Sequence, residues 1–205
     1  MAIVMLFAVS VFAQTIAQRG VAKVLPAPPA PCPGPLFNLF GLPNMLKNFS
    51  FNTVGPGGTT TTHSGALPVP FPTSAAQEWL MHNNNFGATI TTRLIPSTGP
   101  QGPRMLHIRT GGTEGGVIQN FTSKHKGTGK IVGAVWVFVN KGKVQLGIHA
   151  DGSPTASVMS TKIGQWELLK VCSDGNAANS MFFVLNQDPD GGDFFIDAAT
   201  VVVNN

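Results

Sequence analysis

From Asn44 to the C-terminus, turn signals cut the chain into short runs, leaving no segment in which a long helix could grow. Thr98-Gly99-Pro100, Gly111-Gly112, Lys141-Gly142, Asp174-Gly175 and Asp190-Gly191-Gly192 supply the special φ values that tight turns need. Between them the side chains alternate with period two. Val144, Leu146 and Ile148 take one face of a strand, and Lys143, Gln145, Gly147 and His149 the other. Leu106 and Ile108 likewise oppose His107 and Arg109. This reading predicts strands near residues 47–52, 78–81, 89–94, 105–110, 116–121, 131–140, 143–149, 166–172, 181–185 and 194–203. Residues 131–139 (IVGAVWVFV) are apolar on both faces, as in a strand covered on both sides. Residues 53–77, rich in Gly, Thr and Pro, read as one long surface loop. About ten short strands with polar turns make a two-sheet sandwich or a barrel.

Composition agrees. Charged residues are only 11% of the 205, with 24 Gly and 16 Pro, which suits a turn-rich β protein of one domain. The net charge of +4 reflects scarce acids more than a basic surface, and argues only weakly for an anionic partner.

The N-terminal part has a different character. Residues 3–13 form an uninterrupted apolar run, followed by small residues at Ala13 and Ala17 that suit signal peptidase. The run is shorter than the roughly 20 residues a membrane span needs. Residues 1–17 therefore read as a signal peptide and the protein as secreted, although no Lys or Arg precedes the apolar core. A buried N-terminal strand is the competing reading. Residues 18–43 read as a linker, because the prolines of 24–35 (VLPAPPAPCPGP) favour polyproline II and cannot join a sheet interior. The folded body is 44–205. Cys32 and Cys172 permit one disulfide in an exported chain; an exposed Cys32 with a buried, free Cys172 is equally compatible.

Four pieces, in order, carry a resemblance. They are Asn48-Phe49-Ser50-Phe51 followed by Glu78-Trp79; the stretch 133–148 with its internal Trp136 and its turn at Gly142; Gly164-Gln165-Trp166; and the closing Asp193-Phe194-Phe195-Ile196-Asp197. Together the chain resembles the galactose-binding-like jelly rolls, and among them the CenC-type carbohydrate-binding modules. The resemblance covers roughly 44–203 and rests on order and spacing more than on any one motif. It implies an all-β jelly-roll sandwich of two antiparallel sheets. It also implies a structural calcium tying the opening strand to the closing one, with Asp197 and Asn52 as ligands beside backbone carbonyls. Members commonly carry an acid where this chain has Asn52, and another where it has Ala198. Calcium takes six to eight oxygens, several from carboxylates, so these departures thin the site. The cluster Asp188, Asp190 and Asp193 reads as an ordinary turn before it reads as a metal site.

Catalysis has little to work with. A glycosidase needs two carboxylates facing each other across a cleft, yet five of the nine acids fall from Asp174 onward and Glu78, Glu114 and Glu167 are isolated. No nucleophile elbow, zinc-binding helix or phosphate loop occurs. His107, His149 and Asp151 could form a relay only with a nucleophile, and none is evident. The chain is expected not to be an enzyme.

Glycan binding suits the residues better, since a sugar offers an apolar face for stacking and hydroxyls for planar polar groups. Arg109, Gln119, Gln145 and His149, with His107, are expected to line one groove, with Trp136 beneath or beside it. Trp136 as a core residue and the rest as solvated strand faces is the bland alternative. Trp79 and Trp166 are assigned to the core, and Glu167 is expected to face outward opposite Trp166. The expected partner is a polysaccharide or glycan, with no nucleic acid and no membrane span. A structural or assembly protein of an extracellular surface, filament or particle is the alternative reading. A further alternative, an acidic-polymer binder, would use Lys124, His125, Lys126 and Lys130 with Lys141 and Lys143. Asn48-Phe49-Ser50 and Asn120-Phe121-Thr122 are glycosylation sequons, meaningful in a eukaryotic secretory route.

Overall fold

The computed structural model describes residues 43–65, 71–83, 88–122, 130–174 and 176–204. The proposed signal peptide, nearly all of the linker, Cys32, and the cluster Lys124, His125 and Lys126 lie outside the described residues. Cys172 is disulfide-bonded, so the free-thiol reading of that residue is wrong.

Among the described residues there are eleven strands and no helix. In chain order they are β1 (Thr60–Ser64), β2 (Leu80–His82), β3 (Thr89–Pro96), β4 (Arg104–Thr110), β5 (Gly115–Phe121), β6 (Lys130–Lys141), β7 (Val144–Asp151), β8 (Ala156–Met159), β9 (Trp166–Ser173), β10 (Asn176–Asn186) and β11 (Gly192–Asn204). They form a six-stranded sheet, β1-β3-β4-β11-β6-β9, and a five-stranded sheet, β2-β5-β10-β7-β8, with every pairing antiparallel. This is the jelly-roll sandwich expected.

The inner faces interlock through the residues that the alternation put inside. Leu106, Ile108, Val137, Val139, Phe194 and Ile196 come from one sheet, and Val117, Leu146, Ile148, Phe182 and Val184 from the other. Each such side chain contributes roughly 1.5–3 kcal/mol when fully buried. Trp79 closes one end of this core, its ring 5.2 Å from Phe51 and 6.0 Å from Phe182. Its indole nitrogen donates to the Asn48 carbonyl at 3.2 Å.

Several expectations are corrected. Residues 47–52 are not a strand: Asn48 and Phe51 have φ of 45° and 56°, so the segment turns repeatedly to drop Phe51 into the core. The stretch 53–77 is no plain loop, since β1 lies within it and edges the larger sheet. β8, a short edge strand, was not foreseen. Trp166 and Glu167 are reversed. Leu169 and Val171 point into the core, so Trp166 and Leu168 must take the outer face. The Glu167 carboxylate instead closes the loop before β9, accepting from the backbone nitrogens of Thr161 (2.9 Å) and Lys162 (3.2 Å) and from the Thr161 hydroxyl (2.7 Å). Strand β6 is apolar on both faces because Val132 and Ala134 belong to an outer cluster with Val202, Leu168 and Cys172.

Candidate functional site

The outer face of the five-stranded sheet carries a second apolar layer. Phe182 and Val184 of β10 face inward, so Met181, Phe183 and Leu185 must face out. They meet Ile118 of β5 and Leu80 of β2, with Phe71 packed against the edge. Glycine makes this floor possible. Phe183 pairs with Gly147 on β7, and a β-carbon at 147 would overlap the phenyl ring.

Polar side chains rim the floor around an open hollow of about 400 Å³. Gln145 donates from Nε2 to the Ser157 hydroxyl at 2.9 Å, and His149 Nδ1 lies 3.0 Å from the Thr155 hydroxyl. These contacts with β8 and the turn before it fix both side chains. The Gln145 carbonyl oxygen and His149 Nε2 have no protein partner among the described residues. On the opposite rim stand His82 and Glu114. The His82 ring meets Phe71 edge-on at 5.3 Å, and burial holds its pKa below the usual histidine value despite the nearby Glu114 carboxylate.

The sequence-based groove is thus divided. Gln145 and His149 share this hollow, but Arg109 on β4 and Trp136 on β6 belong to the other sheet and face the opposite side of the sandwich. Gln119 is buried. Its Oε1 accepts from the Lys47 backbone nitrogen at 2.6 Å and its Nε2 donates to the Lys47 carbonyl at 2.9 Å. It clamps the entering chain to β5 and does not face the hollow. Alternation alone cannot tell one outer face from the other, because both sheets turn polar residues outward. The floor residues were the ones missed. Their signal was present, since 181–185 (MFFVL) is apolar on both faces just as 131–139 is. The imagined relay is also divided, with His107 on one sheet and His149 and Asp151 on the other.

Asp197 marks a different kind of site. It is fully buried where β11 bulges, just before Ala198 at φ 43°. Its Oδ2 accepts from the Ser97 hydroxyl (2.9 Å) and the Gln101 backbone nitrogen (3.0 Å), while Oδ1 has no hydrogen-bond partner among the described residues. Burial raises the carboxyl's pKa, against the pull of the bonds from Gln101, Ser97 and the Ala198 backbone. A β-carbon added at Gly102 would lie 3.6 Å from Asp197 Oδ1 and 3.7 Å from both the Ser50 and Arg104 carbonyl oxygens. One carboxylate oxygen and two carbonyl oxygens therefore surround a space that only glycine leaves open. This donor set fits a hard cation. The exposed Asn52 is occupied otherwise, its amide donating to the Ser50 hydroxyl at 3.0 Å. No cluster of three or more His, Cys, Asp or Glu that could hold a metal occurs among the described residues. Asp188 caps its own turn, accepting from the Asp190 backbone nitrogen at 2.9 Å.

An antiparallel sandwich of six and five strands, with an apolar-floored hollow on its smaller sheet, has the fold of the β-sandwich carbohydrate-binding modules. No protein-family model matches the chain, and no curated protein matches it in sequence. Among solved structures, it is similar to a family 61 carbohydrate-binding module, TmCBM61, determined in complex with β-1,4-galactotriose. The two are 15% identical, with a TM-score of 0.55 over 80% of this chain and 100% of that one. It is also similar to a candidate sugar-binding protein from Bacteroides thetaiotaomicron VPI-5482, at 13% identity and a TM-score of 0.55 over 79% and 100%. At these identities the likeness is one of fold.

Proposed function

We propose that the chain is a secreted, non-catalytic carbohydrate-binding module that holds a neutral glycan across the outer face of the five-stranded sheet. The observation that carries this reading is the pairing of an apolar floor, Met181, Phe183 and Leu185, with fixed planar polar groups, Gln145 and His149, at its edge. A sugar ring needs both, an apolar surface for its C–H face and directional partners for its hydroxyls. That TmCBM61 was solved with galactotriose adds support through the shared fold. The acids give catalysis no support. Among the described residues Glu114 is the single carboxylate lining the hollow, whereas glycosidases use a facing pair. Calcium at Asp197, with the Ser50 and Arg104 carbonyls, would serve structure, pinning the loop between β3 and β4 to the opening turn. Secretion rests on the apolar run at residues 3–13 and the proline-rich segment behind it.

Calorimetry with β-1,4-linked galacto-, xylo- and gluco-oligosaccharides tests the reading. At least one series should bind, and Gln145→Ala and His149→Ala should each weaken it by about 1 kcal/mol or more. Both side chains are partly or fully exposed, so folding should be unaffected. Binding that neither change affects places the site elsewhere. No binding by any of the series gives the structural or assembly reading precedence.

A further inference from the structure

On the far side of the sandwich, one row of side chains crosses the whole six-stranded sheet. In register it reads Thr60, Arg93, His107, Phe195, Phe138 and Trp166, one residue from each strand. Half of the row is an aromatic track. His107 stacks on Phe195 with ring centroids 4.3 Å apart and planes at 18°, Phe195 meets Phe138 at 6.1 Å, and Phe138 meets Trp166 at 5.6 Å. The other half is polar and carries the Arg93 guanidinium, with Arg109 beside it in the next row. Arg93, Arg109 and His107, with Thr60 and Thr91, enclose a cavity of about 240 Å³. That is smaller than the roughly 300–1,000 Å³ of pockets for drug-sized ligands, and suits one charged sugar unit.

The charge there is not balanced internally. Asp193, in the next row, accepts from Arg109 Nε at 2.8 Å and from Asn140 Nδ2 at 3.1 Å, and its Oδ1 lies 2.8 Å from His107 Nε2. It offsets one arginine and holds it through Nε, so the terminal nitrogens of Arg109 have no protein partner among the described residues. Arg93 is exposed and has no acidic partner among those residues. Two guanidinium forks beside hydroxyls recognise a planar or tetrahedral oxyanion by paired hydrogen bonds. The neighbouring His107–Phe195 stack supplies the apolar surface that an attached ring requires.

We propose that this cavity is a second binding subsite, for the carboxylate or sulfate of an acidic saccharide, with Arg93 and Arg109 on the acid group. It lies on the opposite sheet from the neutral-glycan hollow and does not depend on it. The test is calorimetry on the full chain with α-1,4-trigalacturonate, its methyl ester and a sulfated galacto-oligosaccharide. At least one of the two acids should bind at least tenfold more tightly than the methyl ester, and raising the salt should weaken that binding. The acid that binds identifies the group. Arg93→Gln should weaken binding at least tenfold with an unchanged melting temperature. Failure of both acids to bind, equal binding of acid and ester, or full binding in the Arg93→Gln, Arg109→Gln double variant would each overturn the proposal.

Discussion

Phe183 lies across Gly147 of the adjacent strand, and the absence of a side chain at 147 is what lets the ring rest on the sheet. Gly147→Ala should force the ring upward and disturb the floor of the hollow. Overpacking of this kind costs about 1–3 kcal/mol, readable as a lower denaturation midpoint. Adding Phe183→Leu should return part of that loss, because the two positions share one space. Additive losses in the double variant would show that the ring and the glycine are not coupled.

Calcium should raise the melting temperature of the wild-type protein. A ligand that binds only the native state stabilises it by about 2.7 kcal/mol at a hundredfold excess over Kd. Asp197→Ala should abolish the increment, since it removes the one carboxylate among the oxygens around Gly102. Coincident wild-type melting curves in EDTA and in millimolar calcium would remove the ion from the account.

Acid should destabilise the protein partly through Asp193. Burial alone would raise this carboxyl's pKa, but the bonds from His107 and Asn140 and the charges of His107 and Arg109 hold it below the usual value. A depressed carboxylate contributes stability above its unfolded pKa of about 3.9 and loses it as pH falls through the lower native value. Asp193→Asn should therefore flatten the stability curve below about pH 4. An unaltered acid limb in that variant would contradict the assignment.

The two sequons should behave differently. Asn48 Nδ2 donates to the carbonyls of Thr53 (2.8 Å) and Gln77 (2.9 Å), and its Oδ1 accepts from the Thr53 nitrogen at 2.9 Å. Asn48→Gln should cost about 1–3 kcal/mol, because it misplaces these bonds in a turn whose φ of 45° favours asparagine. Asn120 is exposed and lines a hollow shared with His149 and Met181. Produced through a eukaryotic secretory route, the protein should carry glycan at Asn120, and enzymatic removal should strengthen oligosaccharide binding. Mass spectrometry of the intact protein and its peptides checks the occupancy.

Nine of the eleven strands were legible because each strand's alternation and turn residues are local properties, readable over five to ten positions. β1 and β8 were not, since Thr60–Ser64 and Ala156–Met159 are edge strands with few buried side chains, and pairing with a neighbour defines them. The segment 47–52 looked like a strand in composition, but Asn48 and Phe51 turn so that Phe51 reaches Trp79. At the candidate site the sequence alone determined that Arg109, Gln145 and His149 face away from the core. It could not determine which outer face each belongs to. That depends on β4 joining β11 while β7 joins β10, pairings between residues far apart in the chain that no local pattern encodes. The same long-range closure buries Asp197 beneath the Ser97 and Gln101 loop and aligns Arg93, His107 and Phe195 in one row. For nine strands the chain's own periodicity decided strand identity; the two edge strands β1 and β8, and the companions of every side chain, were decided by the order of strands in the sheets.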